Sequence, residues 1–451
     1  MQEMMFFKKS LLHLLLIVIG NYFTSFLAVA QTAHTLEHCY HLAIERSINL
    51  KQAQNNITAE IINRKTAQNQ LLPSISYNIG HYFSFGRNID PVSNDFVTET
   101  FSGGYTMLGL QVQLFSGFSR INTIKQSAYL VKSLQYEKKR AELELLSNIT
   151  IIYSRILLAR ERLAAERNNI ESTMEQSKIV HEKIKVGRLT KYEGYLFESR
   201  YNSELSTITS LQNDSLAAMQ AMKQLLNIPY QQGFGIASID TTVLISINKN
   251  KASITEFIDS VVHNHPAIKQ AQMQEKAARL NEKIARGNFF PSIYIGTNLS
   301  SNYNASQIDR NGDKISLEDQ LNNNLGRNIN IGMRIPIFSQ FENVNRIKKE
   351  KINISNAELA TQEAKNLIVT NTLQVINDFK AAKEQYNTTT TALQLNKLSY
   401  NLYEEKYRFG QISSLELLNS RDILNNYTSR HIQAKLQLYF QFQIIELLKH
   451  Y

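Results

Sequence analysis

At 451 residues, 43% hydrophobic and 20% charged, with one cysteine, no tryptophan and six prolines, the chain is neither disordered, collagen-like nor disulfide-built. Its formal net charge is +10, with both signs interspersed rather than gathered into basic blocks. That pattern disfavours nucleic acid as a partner and reads as solvated surface.

The first thirty residues place Lys8 and Lys9 ahead of the apolar stretch LLHLLLIVIG and end in Ala28-Val29-Ala30. This is the pattern of a secretory signal peptide, residues 1–30, cleaved about after Ala30. Cys39 follows Glu37-His38 and so lacks the setting of a lipidated cysteine, and one thiol forms no internal disulfide. No later apolar run reaches the roughly 18–20 residues of a membrane-spanning helix, so entry into a membrane requires a closed β-barrel.

The main pattern occurs twice. LLPSI at 71–75 returns as FFPSI at 289–293, LFSGFSRINTIK at 114–125 as IFSQFENVNRIK at 337–348, and KVGRLTKYE at 185–193 as RFGQISSLE at 408–416. The first repeat therefore spans 31–230, with helix 35–71, strands about 74–86 and 104–115, long helix 117–186 and helix 189–226. A linker at 231–252 leads to the second repeat, 253–451, with helix 253–289, strands about 292–301 and 327–338, long helix 340–409 and helix 412–449. Neither 118–186 nor 337–409 contains glycine or proline, and their apolar residues recur at spacings of three and four. A helix of about seventy residues is a rod of roughly 105 Å. Gly187 and Gly410 are expected to end these helices, and Thr190 and Ser413 to cap the returning ones. Pro266 marks a helix start or a kink.

Between the proline and phenylalanine motifs the period changes to two. Ile75, Tyr77 and Ile79 alternate with Ser76 and Asn78, and Ile329, Ile331 and Met333 with Asn330 and Gly332. Pro73 and Pro291 sit at the helix–strand junctions, where a missing N–H is least harmful. Tyr82, Phe83, Phe85, Tyr105, Phe115 and Phe338 fall near strand ends, as an interfacial girdle would require. Alternation alone fits equally a pair of hairpins packed on helices. Four strands cannot close a transmembrane barrel, which needs about eight, whereas three copies would supply twelve.

Order, spacing and duplication together resemble the TolC-like outer membrane efflux protein family over nearly all of the chain after residue 30. The resemblance implies a mainly α fold with a transmembrane β-barrel portion: a homotrimer whose twelve strands form a barrel in outer membrane lipid and whose helices form a periplasmic tunnel. It implies adaptor docking at Val186, Gly187, Leu189 and Thr190 of the first tip and Phe409, Gly410, Ile412 and Ser413 of the second, with an inner-membrane pump beyond. It further implies a periplasmic aperture ringed by Glu416, with Glu193 as its first-repeat equivalent. Asn419 stands where some members carry a second acid. Tyr407 matches a tyrosine that helps hold the closed state, but Ile412 replaces its basic partner, so any lock here is built differently. The implied function is a passive export duct of a tripartite efflux pump or type I secretion system.

No catalytic or cofactor motif is present: the sequence has no phosphate-cradling glycine loop, no HExxH and no GxSxG. His34, His38 and His41 beside Cys39 read as polar surface histidines rather than a metal site, and the stretch from Asp309 to Asp313 fails the calcium-loop spacing. The alternative function is an exported structural or adhesive coiled-coil protein without a pore.

Overall fold

The computed structural model describes residues 33–89, 95–98, 100–239, 254–309 and 311–451. The expected signal peptide and most of the inter-repeat linker lie outside the described residues. In chain order the elements are β1 (Ala33–His34), α1 (Leu36–Arg46), α2 (Ile48–Asn69), β2 (Ser74–Ser84), β3 (Arg87–Ile89), β4 (Phe96–Thr98), β5 (Phe101–Ser116), α3 (Ser119–Lys185) and α4 (Lys191–Leu225). There follow β6 (Gly235–Ile236), α5 (Ile254–Asn264), α6 (Pro266–Gly287), β7 (Ser292–Asn304), α7 (Leu317–Asn323), β8 (Gly326–Arg334), α8 (Glu342–Arg408) and α9 (Ser414–His450).

The long helices α3 and α8 each run 67 residues without a break. Both begin two residues later than the sequence suggests. Gly117 and Phe118 have φ of 60° and 63°, and their counterparts Gln340 and Phe341 have 52° and 63°. Two successive left-handed residues turn the chain out of the strand, so the right-handed helix starts only after them. The expected single helices 35–71 and 253–289 are instead two helices each. Ser47 closes α1 by donating its N–H to Ala43 and opens α2 by accepting from the Leu50 N–H through Oγ at 3.3 Å. The second break falls at His265, where Pro266 takes the first helical position, its missing N–H costing nothing there.

Two compact units cut across the two sequence repeats. One comprises residues up to Gln52, Lys139–His265 and Leu367–Tyr451. Its main core gathers Cys39 and Ala43 from α1, Ile149, Tyr153 and Ile156 from α3, Met222 from α4, and Leu436 and Phe440 from α9. The Tyr153 hydroxyl donates to the carbonyls of His34 and Ala237, at 3.1 and 2.8 Å, which fixes the parallel β1–β6 pair to this core.

The other unit, Ala53–Lys138 and Pro266–Asn366, carries a four-stranded antiparallel sheet in the order β2-β5-β7-β8. The register aligns Ile75, Leu110, Thr297 and Ile329 across one face, with Tyr77, Leu108, Leu299 and Arg327 in the next row. The opposite face presents Ser76, Asn298 and Asn328 in one row, and Ser74, Gln111 and Asn330 in another. The faces therefore differ in the sense that the period of two predicted, with Arg327 the exception at the start of β8 on the apolar side. Tyr82 and Tyr105, expected in a girdle, belong to the polar face, where they cover Gly103 and Gly80 and leave no room for a Cβ. β8 ends at Arg334, short of the expected 338, because Pro336 has no N–H to offer a neighbour. Beyond the part of β7 that pairs with β8, α7 covers the edge left open: Gln320 Oε1 accepts from the Asn304 N–H at 2.9 Å and Asn324 Nδ2 donates to the Asn302 carbonyl at 2.7 Å.

Candidate functional site: the paired glycine tips

Gly187 and Gly410 have φ of 73° and 70°, a conformation that L side chains rarely adopt. Each ends its helix with the same two bonds. The Gly187 N–H donates to Ile184 and the Arg188 N–H to Lys183; the Gly410 N–H donates to Tyr407 and the Gln411 N–H to Lys406. These pairs satisfy carbonyls that the last helical turn leaves open. Three residues on, the chain re-enters helix through matched reciprocal caps. The Thr190 N–H donates to Glu193 Oε2 at 3.0 Å, and the Ser413 N–H to Glu416 Oε2 at 2.8 Å. The Glu416 N–H returns a bond to Ser413 Oγ at 3.2 Å. Glu193 and Glu416 are thus the helix-opening partners of Thr190 and Ser413, a relation visible as T-x-x-E and S-x-x-E. Hydrogen bonds from the Ser413 backbone and hydroxyl hold the Glu416 carboxyl below its ordinary value.

Both tips belong to the same unit, and the structure joins them. The Ser414 hydroxyl donates to Glu193 Oε1 at 3.1 Å, which leaves its oxygen to accept from the Tyr407 hydroxyl at 3.2 Å. Lys183 lies 5.1 Å over the Tyr407 ring. Tyr407 therefore reaches Glu193 through Ser414. Val186 and Phe409 are 68% and 79% exposed, apolar side chains offered to solvent at the two turns. Leu189 does not join them; it packs inward on Val180, Phe197 and Leu418. Ile412 is half-buried, and Asn419 is exposed with its side chain outside every hydrogen bond found among the described residues.

Further along the same helices lies a feature the sequence reading missed. Arg421 of α9 and Glu204 of α4 are 4% and 2% exposed, with Arg421 donating to Glu204 Oε1 at 2.9 Å. Arg421 also donates to Thr173 and Gln176 of α3. The other Glu204 oxygen accepts from the Thr173 hydroxyl at 2.6 Å, and Arg200 bridges Glu204 to Asp422 at 2.7 and 2.5 Å. This node ties the second-repeat returning helix to both helices of the first-repeat tip. No local pattern announces it, because its members are 217 residues apart.

Pro73 and Pro291 stand at the entrances of β2 and β7, directly before Ser74 and Ser292. Among the described residues no group of three or more His, Cys, Asp or Glu could hold a metal ion. His34 stacks between His38 and Phe234, and Cys39 is buried in the core, where burial pushes its thiol up to about 12. No helix among the described residues is long and apolar enough to cross a membrane.

The sequence matches the family described as outer membrane efflux protein over residues 39–231 and 257–446. A relative from Pseudomonas aeruginosa, the pyoverdine export outer membrane protein OpmQ, is 22% identical over 354 residues, covering 77% of this chain and 69% of that protein. Among solved structures, CusC, studied for transmembrane channel formation, superposes with a TM-score of 0.78 at 16% identity, covering 93% of this chain and 92% of CusC. The outer membrane protein VceC of Vibrio cholerae gives 0.75 at 13% identity, covering 92% and 96%.

Proposed function

The chain belongs to the outer membrane efflux protein family, whose members are channels and not enzymes, and we propose that three copies of it form a passive export duct across the outer membrane and periplasm. In this reading the sheet contributes its four strands to a shared twelve-stranded barrel, apolar face to lipid and polar face to the lumen. The observation that carries it is the sheet itself: one apolar face, one amide- and hydroxyl-lined face, and two outer strands, β2 and β8, each paired on one side only.

The tips are the docking and gating end. Val186 and Phe409, with Gly187, Thr190, Gly410 and Ser413, form the surface that a periplasmic adaptor covers, and an inner-membrane pump supplies the energy. Three symmetry-related Glu416 carboxylates line the narrow aperture and favour cations. The link Tyr407–Ser414–Glu193 holds the two tips of one chain together, and opening requires a partner that binds the splayed arrangement better. The cargo is a small molecule, a reading supported by the relative named for pyoverdine export.

The test is single-channel recording of the purified, detergent-extracted protein in planar bilayers, with oligomeric mass measured on the same sample. A trimer giving discrete, cation-preferring openings is expected. A monodisperse monomer that neither inserts nor conducts overturns the duct and favours an exported coiled-coil protein.

A further inference from the structure

Lysines and arginines that are scattered in sequence are gathered by the fold where four helices meet the sheet. β2 begins, β5 ends, β7 begins and β8 ends at the same sheet edge, since Ser74 pairs with Gln111, and Ser292 with both Ser116 and Arg334. The C-terminal ends of α2 and α6 and the N-terminal ends of α3 and α8 therefore all lie next to that edge. The fifteen residues of each helix nearest the sheet are 55–69, 119–133, 273–287 and 342–356. Together they hold thirteen Lys and Arg against five acids, Glu60, Glu275, Glu282, Glu342 and Glu350, a net of +8 in a chain of +10. Equal windows flanking Gly187 and Gly410, residues 171–185, 191–205, 394–408 and 414–428, hold nine basic and ten acidic residues, a net of −1.

Three of the five acids are already used within their own helices, by Arg279, Arg286 and Arg346. Lys125, Lys132, Lys276 and Lys283 are exposed and make no ion pair among the described residues. Lys125, Lys132 and Lys283 line one groove between α3 and α6, and Lys132 and Lys276 each lie 5.9 Å from the ring of Tyr129, which lines it too. Between these lysines and the apolar sheet face come Phe118, Phe289, Phe290, Phe338 and Phe341, all exposed. Apolar band, aromatic ring, then cations is the order of hydrocarbon, interface and head group across one leaflet.

We infer that the four helix ends beside the sheet form a basic collar that binds the phosphate groups of anionic phospholipids in the leaflet on the helical side. The inference rests on the membrane-barrel reading above. A partner of this chemistry accounts for cations placed beside an apolar face without matching carboxylates, since each Lys or Arg near an anionic surface gains attraction that salt screens.

The full-length protein is reconstituted into vesicles of equal parts phosphatidylcholine and phosphatidylglycerol, and the immobilised fraction of spin-labelled phosphatidylglycerol is compared with that of spin-labelled phosphatidylcholine. At low salt the anionic label is expected to be preferred about fivefold. The preference should fall close to parity in high salt and in the variant K125Q/K132Q/K276Q/K283Q, while the matched variant K178Q/K380Q/K383Q/K397Q keeps it. Equal association of the two labels with an inserted wild-type trimer overturns the collar and leaves the duct standing. Equal loss in the two variants reduces the effect to net charge, and displacement of the label by soluble glycerol phosphate assigns the site to a free anion; each overturns the lipid assignment. Failure to insert, read from heat-modifiable migration of the same sample, overturns the barrel and the collar together.

Discussion

The cap formed by Glu416 and the aperture role proposed for it can be separated by substitution. As a cap it needs an oxygen to accept from Ser413, which glutamine still supplies, though without the charge that strengthens the bond; in the proposed aperture it needs the charge itself. E416Q is expected to lower cation preference, read from reversal potentials, with only a small fall in melting temperature. S413A is expected to do the reverse, keeping the preference while the helix loses a cap worth about 1 kcal/mol. An unchanged reversal potential in E416Q removes the aperture assignment. Because the folded carboxyl lies below the ordinary 4.5, its contribution to stability is complete above pH 4.5 and is lost only as pH falls through the lowered value. At this scale the turns and caps were legible, since glycine at a left-handed position and Ser or Thr three residues before Glu are local chemistry. Ser414 was not: its value comes from Glu193, 221 residues away, and nothing near it in sequence signals that meeting.

Among the elements, the tips are held by unlike means at two levels. Nearer the turns, Val180, Phe197 and Leu418 pack as an apolar cluster; beyond it the Arg421–Glu204 pair is taken out of water almost completely. Removing one partner of such a pair leaves an uncompensated buried charge, a loss of about 3–5 kcal/mol, whereas replacing both by apolar residues of similar size is often neutral or better. R421M alone should therefore lower the denaturation midpoint markedly, and R421M/E204L should recover most of the loss. A double variant as unstable as the single would mean that Thr173, Gln176 and Arg200 need the charges for more than mutual compensation. Helix lengths were legible because α3 and α8 contain no glycine or proline. The breaks at Ser47 and His265 were not, because a serine suits a cap and a solvated helix face alike, and only the packed neighbours decide between them.

For the molecule as a whole, the sheet poses the problem that assembly must solve. Among the described residues β2 and β8 each have one unpaired edge, and Ile75, Ile79, Ile329 and Ile331 are more than two-thirds exposed on a single face. Left so, the sheet is a template for indiscriminate pairing. Closure with copies of itself satisfies both edges at once, and a bilayer covers the apolar face. Two adjacent positions on β8 test this arrangement, since neighbours on a strand point to opposite faces. I331R puts a cation on the lipid face, at a cost of about 2–4 kcal/mol near the membrane midplane. It should abolish the heat-modifiable trimer and the conductance. N330R puts the same cation on the polar face, where water can reach it. It should leave the trimer intact and shift the reversal potential away from cations. If both variants insert and conduct like wild type, the sheet does not face lipid, and the two open edges must be covered by something other than further copies of the chain.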